Sequence, residues 1–99
     1  ANFENDCIKR LEGLKGIWLF GSVAKGKAKE KSDIDLFILV EKGRNKALLK
    51  TALEDIKEKY EEKYRIQTIL MDEEEFEKRK KEPLVHEILT SGINIMPRS

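Results

Sequence analysis

Two aspartates separated by one residue, Asp33 and Asp35, stand at the start of the most hydrophobic stretch of this chain, residues 34 to 40. Side chains alternate along a strand, so both carboxylates should leave the same face close to each other. Mutual repulsion and burial disfavour the two ionised forms unless a cation neutralises them. Oxygen ligands of this kind suit Mg²⁺ or Mn²⁺, which keep several waters and bridge to substrate phosphates. The alternative is that Asp33 is only a turn residue and that Asp35 is exposed at the end of a sheet.

A second group of residues, Gly21 and Ser22, lies where an apolar strand gives way to a helix that we expect to begin at Ser22. Such a junction presents unpaired backbone amides and the positive end of a helix dipole. Glycine lets a phosphate approach the backbone closely, the serine hydroxyl can donate to a phosphate oxygen, and Lys25 adds positive charge nearby. The alternative is an ordinary helix N-cap. The phosphate loop Gly-x4-Gly-Lys-Ser/Thr is absent from the sequence, so a bound phosphate would be held in another way.

The hydrophobic pattern predicts a small α/β domain that would bring these two groups together. The near-continuous apolar run of residues 34 to 40 indicates a central strand that is covered on both faces. The remaining predicted elements are a helix over 2 to 13, strands over 17 to 20 and 64 to 71, a helix ending near 63, a helix capped by Asp72, a helix from Pro83 to Gly92 with Leu84, Val85, Ile88 and Leu89 on its buried face, and a short edge strand at Ile93 and Ile95.

The composition bounds what this chain can be. With 99 residues, it should form one domain over residues 1 to 99, and its 20 Lys and Arg against 19 Asp and Glu leave a net charge of only +1. No apolar run approaches the length of a membrane span, and the N-terminus does not resemble a signal peptide, so we expect a soluble, cytoplasmic protein. The single cysteine, Cys7, cannot form an internal disulfide, and its position in an apolar helical stripe predicts a buried side chain. One His and one Cys exclude the usual four-ligand zinc site, which leaves oxygen ligands for any metal.

A resemblance to a known family is carried by residues 21 to 36, which read GSVAKGKAKEKSDIDL. The glycine-serine pair, the second glycine, the Ser-Asp-x-Asp-Leu ending and their spacing are similar to the nucleotidyltransferase superfamily that includes DNA polymerase beta, and most closely to the minimal nucleotidyltransferases. This resemblance implies a mixed sheet flanked by helices and the transfer of a nucleoside monophosphate from a triphosphate, with ATP as the expected nucleotide. It also implies that Gly21, Ser22 and Lys25 hold the triphosphate. Asp33 and Asp35 would be the catalytic residues that ligate Mg²⁺ or Mn²⁺.

The sequence departs from the family pattern at the third acid. Active members usually carry another carboxylate on a neighbouring strand, but residues 64 to 71 contain none. Gln67 stands near the expected position, and an amide brings no charge and cannot act as a base near neutral pH. Asp72 follows the strand, and a shifted register could recruit it, although a capping bond with Glu75 is the simpler interpretation.

Three functional hypotheses follow from these residues. The first is a metal-dependent nucleotidyltransferase whose acceptor, a hydroxyl or a phosphate, is presented by a partner. By analogy with the family, that partner would be a small helical protein in a toxin-antitoxin pair or a second copy of the chain. The second is a nucleotide-binding module or antitoxin-like subunit that lacks turnover because the third carboxylate is missing. The third is an interaction protein without a nucleotide site. Nucleic acid is left open as a partner.

Overall fold

The computed structural model describes residues 3–21 and 33–96. The elements in those ranges, in chain order, are α1 (Phe3–Arg10), β1 (Leu14–Phe20), β2 (Asp33–Val40), α2 (Lys46–Glu58), β3 (Arg65–Asp72), α3 (Glu73–Arg79), α4 (Pro83–Ser91) and β4 (Ile93–Asn94). This order of elements confirms the α/β class. The helix expected to begin at Ser22 falls outside the described residues.

The four strands form one mixed sheet in the order β3-β2-β1-β4. The strand β2 runs antiparallel to β1 and parallel to β3, and β4 is antiparallel to β1. Because β2 has a neighbour on each side and is covered on both faces, its residues 36 to 38 can all be buried. The central position predicted for this strand is therefore confirmed.

Alternate residues of β2 belong to two different cores on opposite faces of the sheet. Ile34, Leu36 and Ile38 pack in the core formed with α1 and α2. Phe37 packs in a second core with residues of α3 and α4. Since side chains alternate along a strand, Asp33 and Asp35 lie on the same face of the sheet as Phe37. They are at the N-terminal end of β2, before the part of this face that the second core covers.

The boundary between α1 and β1 differs from the prediction. The helix ends at Arg10 instead of residue 13, and Leu14 is the first residue of the strand, where it pairs with Val40. The turn between them contains Gly13, whose φ of +75° is a left-handed conformation that favours glycine. Leu14 fits a helical stripe by spacing alone, but this turn carries the chain out of the helix before Leu14 is reached.

The predicted buried face of α4 was partly wrong. Val85 and Ile88 are each 1% exposed and belong to the second core, as expected. Leu84 and Leu89 are 41% and 45% exposed, because the sheet covers only a narrow stripe of this short helix. The other expected features of this region, an N-terminus at Pro83 and an end at Gly92, are confirmed.

Polar contacts position the ends of several helices. Asp72 caps α3 by accepting a hydrogen bond of 2.8 Å from the backbone amide of Glu75, as the sequence predicts. Tyr60, which follows α2, donates a hydrogen bond of 2.6 Å to Asp6 of α1.

Within residues 3–21 and 33–96, no helix has the length and apolar character needed to cross a membrane.

Candidate functional site

The two aspartates lie at the start of β2, where the strands on both sides of β2 supply neighbouring residues. Asp35 is the cross-strand partner of Phe20 on β1 and of Gln67 on β3. Asp33 is the partner of Arg65 on β3. The carboxylates therefore lie at one end of the sheet, between the last residue of β1 and the first residues of β3.

Gly21, the residue directly after β1, lies against Asp35 of this acid pair. Gly21 follows Phe20 with a φ of +78°. A Cβ atom added at Gly21 would overlap Oδ2 of Asp35, so only glycine allows the backbone to approach the carboxylate this closely. The structure thus brings Gly21 and Asp35 together. The two other residues expected to hold phosphate, Ser22 and Lys25, lie outside the described residues.

The Asp33 carboxylate has two partners on β3. Gln67 donates a hydrogen bond of 3.0 Å from Nε2 to Oδ2, and Nε of Arg65 lies 3.6 Å from Oδ1. The Arg65 side chain is 78% exposed and that of Asp33 is 39% exposed, so solvent screens their attraction. Arg65 lies beyond hydrogen-bond distance in this arrangement, whereas the Gln67 amide is held against the acid pair.

The electrostatics of the pair fit a bound cation. Burial raises the pKa of the Asp35 carboxyl, and the negative charge of Asp33 raises it further. A divalent cation would relieve both effects, since it compensates the lost hydration and the repulsion together. Two carboxylates on one face provide hard oxygen donors for Mg²⁺ or Mn²⁺, with water and phosphate completing the shell. Among the described residues, no group of three or more His, Cys, Asp and Glu side chains is arranged to hold a metal.

The structure shows which of two residues, Asp72 or Gln67, lies at the position expected for a third acid. Asp72 pairs with Val40 at the far end of the parallel β2 and β3 ladder, whereas Gln67 pairs with Asp35. Asp72 lies five positions beyond Gln67 along the strand, or roughly 16 Å away, so Asp72 cannot join the site. The idea that a shifted register recruits Asp72 was wrong, and Gln67 occupies the position next to the acid pair.

Arg65 is the site residue that sequence reasoning missed. Its position beside Asp33 depends on the parallel register of β2 and β3, which pairs residues separated by 32 positions in the chain. No local pattern specifies that register. The available signal was the spacing of Arg65 and Gln67, which places both on one face of a strand next to the acid pair.

A separate cavity of about 510 Å³ lies on the opposite face of the sheet. Its floor includes Leu19, Ile34 and Ile66, and Ile34 stands between the two aspartates in the sequence. The same three strands therefore carry the acid pair and its neighbours on one face and an apolar recess on the other. On the face of the acid pair, the Asp33 side chain is 39% exposed to solvent.

Comparisons with known proteins agree with this architecture. The family model for polymerase beta nucleotidyltransferases matches residues 5–99. A solved structure described as a minimal nucleotidyltransferase is 30% identical, with a TM-score of 0.56 and coverage of 92% of this chain and 83% of that protein. A Sulfolobus solfataricus protein described as a nucleotidyltransferase is 17% identical, with a TM-score of 0.60 and coverage of 93% and 71%. A toxin-antitoxin structure with AMP-PNP is 22% identical, with a TM-score of 0.57 and coverage of 92% and 70%. No curated protein sequence matches the chain significantly.

Proposed function

This chain belongs to the polymerase beta nucleotidyltransferase family, and we propose that it binds a nucleoside triphosphate with a divalent cation and transfers the nucleoside monophosphate to an acceptor. The observation that carries the proposal is the contact between the Gly21 backbone and the Asp35 carboxylate. This contact supports the proposal, because a backbone without a side chain then lies beside carboxylate oxygens that can bind a cation. A triphosphate needs both, because its charge must be compensated while its oxygens are held by donors.

Each residue has a separate role in this proposal. Gly21 leaves room for a phosphate at the backbone, and Ser22 and Lys25 donate to the triphosphate. Asp33 and Asp35 would hold Mg²⁺ or Mn²⁺ through their carboxylate oxygens. When bound, the cation would neutralise charge on the transferred nucleotidyl group and on the leaving pyrophosphate. ATP is the proposed nucleotide, and the site belongs to one domain over residues 1–99.

A protein partner is part of the proposal. The resemblance to a toxin-antitoxin structure with AMP-PNP supports a protein partner. By analogy with the family, that partner would be a small helical protein that presents the acceptor, and a second copy of this chain is the alternative. Exposed apolar side chains on α4, Leu84 and Leu89, offer surface that a partner could cover.

The test is incubation with α-labelled ATP, CTP, GTP and UTP plus Mn²⁺, alone and with any protein that co-purifies. Wild type should release pyrophosphate and transfer label, and Asp35→Asn should lose at least about 100-fold in rate, because a cation ligand is gone. Asp55→Asn is the matched control, since Asp55 is an exposed residue of α2 that pairs with Arg10 at 3.3 Å. Equal rates for wild type and Asp35→Asn would contradict the proposed site.

A second candidate function is a nucleotide-binding module without turnover, and the observation that favours it is Gln67. This uncharged residue pairs with Asp35 where an active relative usually has an acid. The two functions differ in their metal stoichiometry with a nonhydrolysable triphosphate, measured by titration with Mn²⁺. Two cations per chain support catalysis, whereas one cation with tight nucleotide binding and no pyrophosphate release supports the module.

A further inference from the structure

The acid pair has a glycine backbone on one side and polar side chains on the other. On the β1 side, Gly21 brings its backbone against Asp35. On the β3 side, the side chains of Arg65 and Gln67 approach Asp33. Because β1 and β3 are the two neighbours of β2, and neighbouring strands lie about 4.8 Å apart, these two sides are separated by roughly 10 Å.

This arrangement distinguishes the leaving side of the reaction from the attacking side. Phosphoryl and nucleotidyl transfer place the attacking and leaving oxygens roughly in line on opposite sides of the phosphorus. If the triphosphate binds at Gly21, as proposed above, its pyrophosphate occupies the β1 side. The acceptor then approaches from the β3 side, where it meets Arg65 and Gln67.

The β3 side is poorly suited to a neutral hydroxyl acceptor. A hydroxyl must lose its proton as it attacks, and a general base has to be within hydrogen-bond reach to accept that proton. The Gln67 amide is not basic near neutral pH, and the Arg65 guanidinium is already fully protonated. Asp33 and Asp35 are assigned to the cation. Among the described residues of β3, the first acid is Asp72, at the other end of the strand.

The same side is well suited to an anion. Arg65 is 78% exposed, and its Nε is 3.6 Å from Asp33, so the weak pair leaves its donors available. A guanidinium can donate two parallel hydrogen bonds to a phosphate, which gives orientation as well as attraction. An ionised phosphate oxygen also needs no base in order to attack.

From these observations we propose that the acceptor is a phosphate group and that Arg65 binds it on the β3 side of the acid pair. This inference rests on the proposed function and names its acceptor class. An oxygen of the acceptor phosphate forms a bond with the α-phosphorus of the nucleotide, and the product contains a new phosphoanhydride. The bond between the α-phosphorus and the oxygen that bridges to the β-phosphate breaks. Pyrophosphate leaves with that electron pair, and no proton has to be removed from the acceptor.

Inorganic phosphate is the simplest probe of this acceptor. The protein is incubated with unlabelled ATP, Mn²⁺ and radiolabelled phosphate, and the expected product is ADP that carries the label at its β position. Ordinary ATP hydrolysis cannot produce that label, because its ADP retains the original β-phosphate. A parallel reaction with α-labelled ATP and glycerol measures transfer to a hydroxyl.

The variants separate a role in acceptor binding from a structural role. Arg65→Gln should lower labelling of ADP at least tenfold through a higher KM for phosphate, and Arg65→Lys should restore part of it. Gln67→Asp adds a base and a negative charge, so it should shift the preference from phosphate toward glycerol. Arg79→Gln is the charge-matched control, since Arg79 at the end of α3 pairs with Glu82, which precedes α4, and the substitution should leave the reaction unchanged. Thermal unfolding of each variant shows whether it is folded.

The outcomes distinguish this inference from the proposed function. Transfer to glycerol in preference to phosphate by the wild type, or undiminished labelling in Arg65→Gln, would overturn the inference and leave the transferase proposal intact. Binding of a nonhydrolysable triphosphate with Mn²⁺ but transfer to neither acceptor would overturn the inference and leave only the nucleotide site. Failure to bind the nucleotide at all would overturn the proposed function.

Discussion

Gly21 is the residue at which backbone conformation and site chemistry meet. Alanine at this position must adopt a left-handed φ and place a methyl group against Asp35. We expect Gly21→Ala to lower the free energy of unfolding by about 1 to 2 kcal/mol or more, measured by urea denaturation, and to abolish binding of a nonhydrolysable triphosphate. Gly43→Ala is the matched control, because Gly43 has a φ of +84° and open space around it. It should show a backbone cost of similar size with nucleotide binding intact.

We expect Asp35 to lower the stability of the cation-free protein at neutral pH. Its pKa is raised in the folded state, so folding favours the protonated form, and stability falls as the pH rises from the unfolded pKa through the folded one. We expect Asp35→Asn to raise Tm in EDTA near neutral pH, with the difference vanishing in acid, where both states are protonated. Mg²⁺ should raise the Tm of wild type and not that of the variant. A Tm of Asp35→Asn below that of wild type in EDTA would contradict this account, and Asp55→Asn controls for the loss of any surface aspartate.

At the scale of elements, α1 is tied to the turn after α2 by the hydrogen bond from Tyr60 to Asp6. This bond is the main cause that raises the pKa of Tyr60 to about 12 and lowers the pKa of Asp6 below 3.8. The Tyr60 contribution to stability is present below pH 10 and is lost as the pH rises toward 12. The Asp6 contribution is present above pH 3.8 and is lost as the pH falls.

Tyr60→Phe should therefore lower Tm across the neutral range and flatten its fall at both extremes of pH. Thermal unfolding followed by circular dichroism over that range measures the effect. Tyr64→Phe is the control, because Tyr64 is 47% exposed and its hydroxyl makes no described hydrogen bond to Asp6. If Tm depends on pH in the same way for Tyr60→Phe and for wild type at both extremes of pH, the hydrogen bond contributes nothing to stability.

The elements also show why sequence could predict some of this structure and not the rest. The apolar run of β2 and the cap at Asp72 follow from local spacing, and both were predicted correctly. The position of Arg65 beside Asp33 depends on a parallel pairing between distant segments, which no local pattern encodes. The start of β1 was missed because Lys15 and Gly16 interrupt its apolar pattern, although Leu14 and Gly16 pair with β2 on either side of an irregularity at Lys15.

At the scale of the whole molecule, Cys7 reports on the integrity of the fold. Its side chain is fully buried in the core under α1, as the sequence predicted, and burial raises the pKa of the thiol to about 12. We expect a thiol reagent to label the native protein only when it opens, since the protein has one cysteine and its thiolate is suppressed.

Ligand binding should slow this labelling in proportion to occupancy, because a ligand that binds only the folded state reduces the open population. A nonhydrolysable triphosphate with Mg²⁺ should protect Cys7 in wild type and not in Asp35→Asn. Mass spectrometry of the modified thiol over time measures the rate. Fast labelling of the native protein would contradict the buried position of Cys7.

The side chains of β2 alternate between the two faces of the sheet, and this alternation determines which mutations the protein tolerates. Within this strand, Asp33 and Asp35 face one side while Ile34 and Leu36 pack on the other. Replacing one of its apolar residues with another of similar size should be absorbed by repacking. Inserting or deleting a single residue would instead turn the acids toward the core beneath α1 and α2 and turn the aliphatic side chains of that core toward the opposite face. Homologous chains should therefore vary in composition along this strand while its length stays constant.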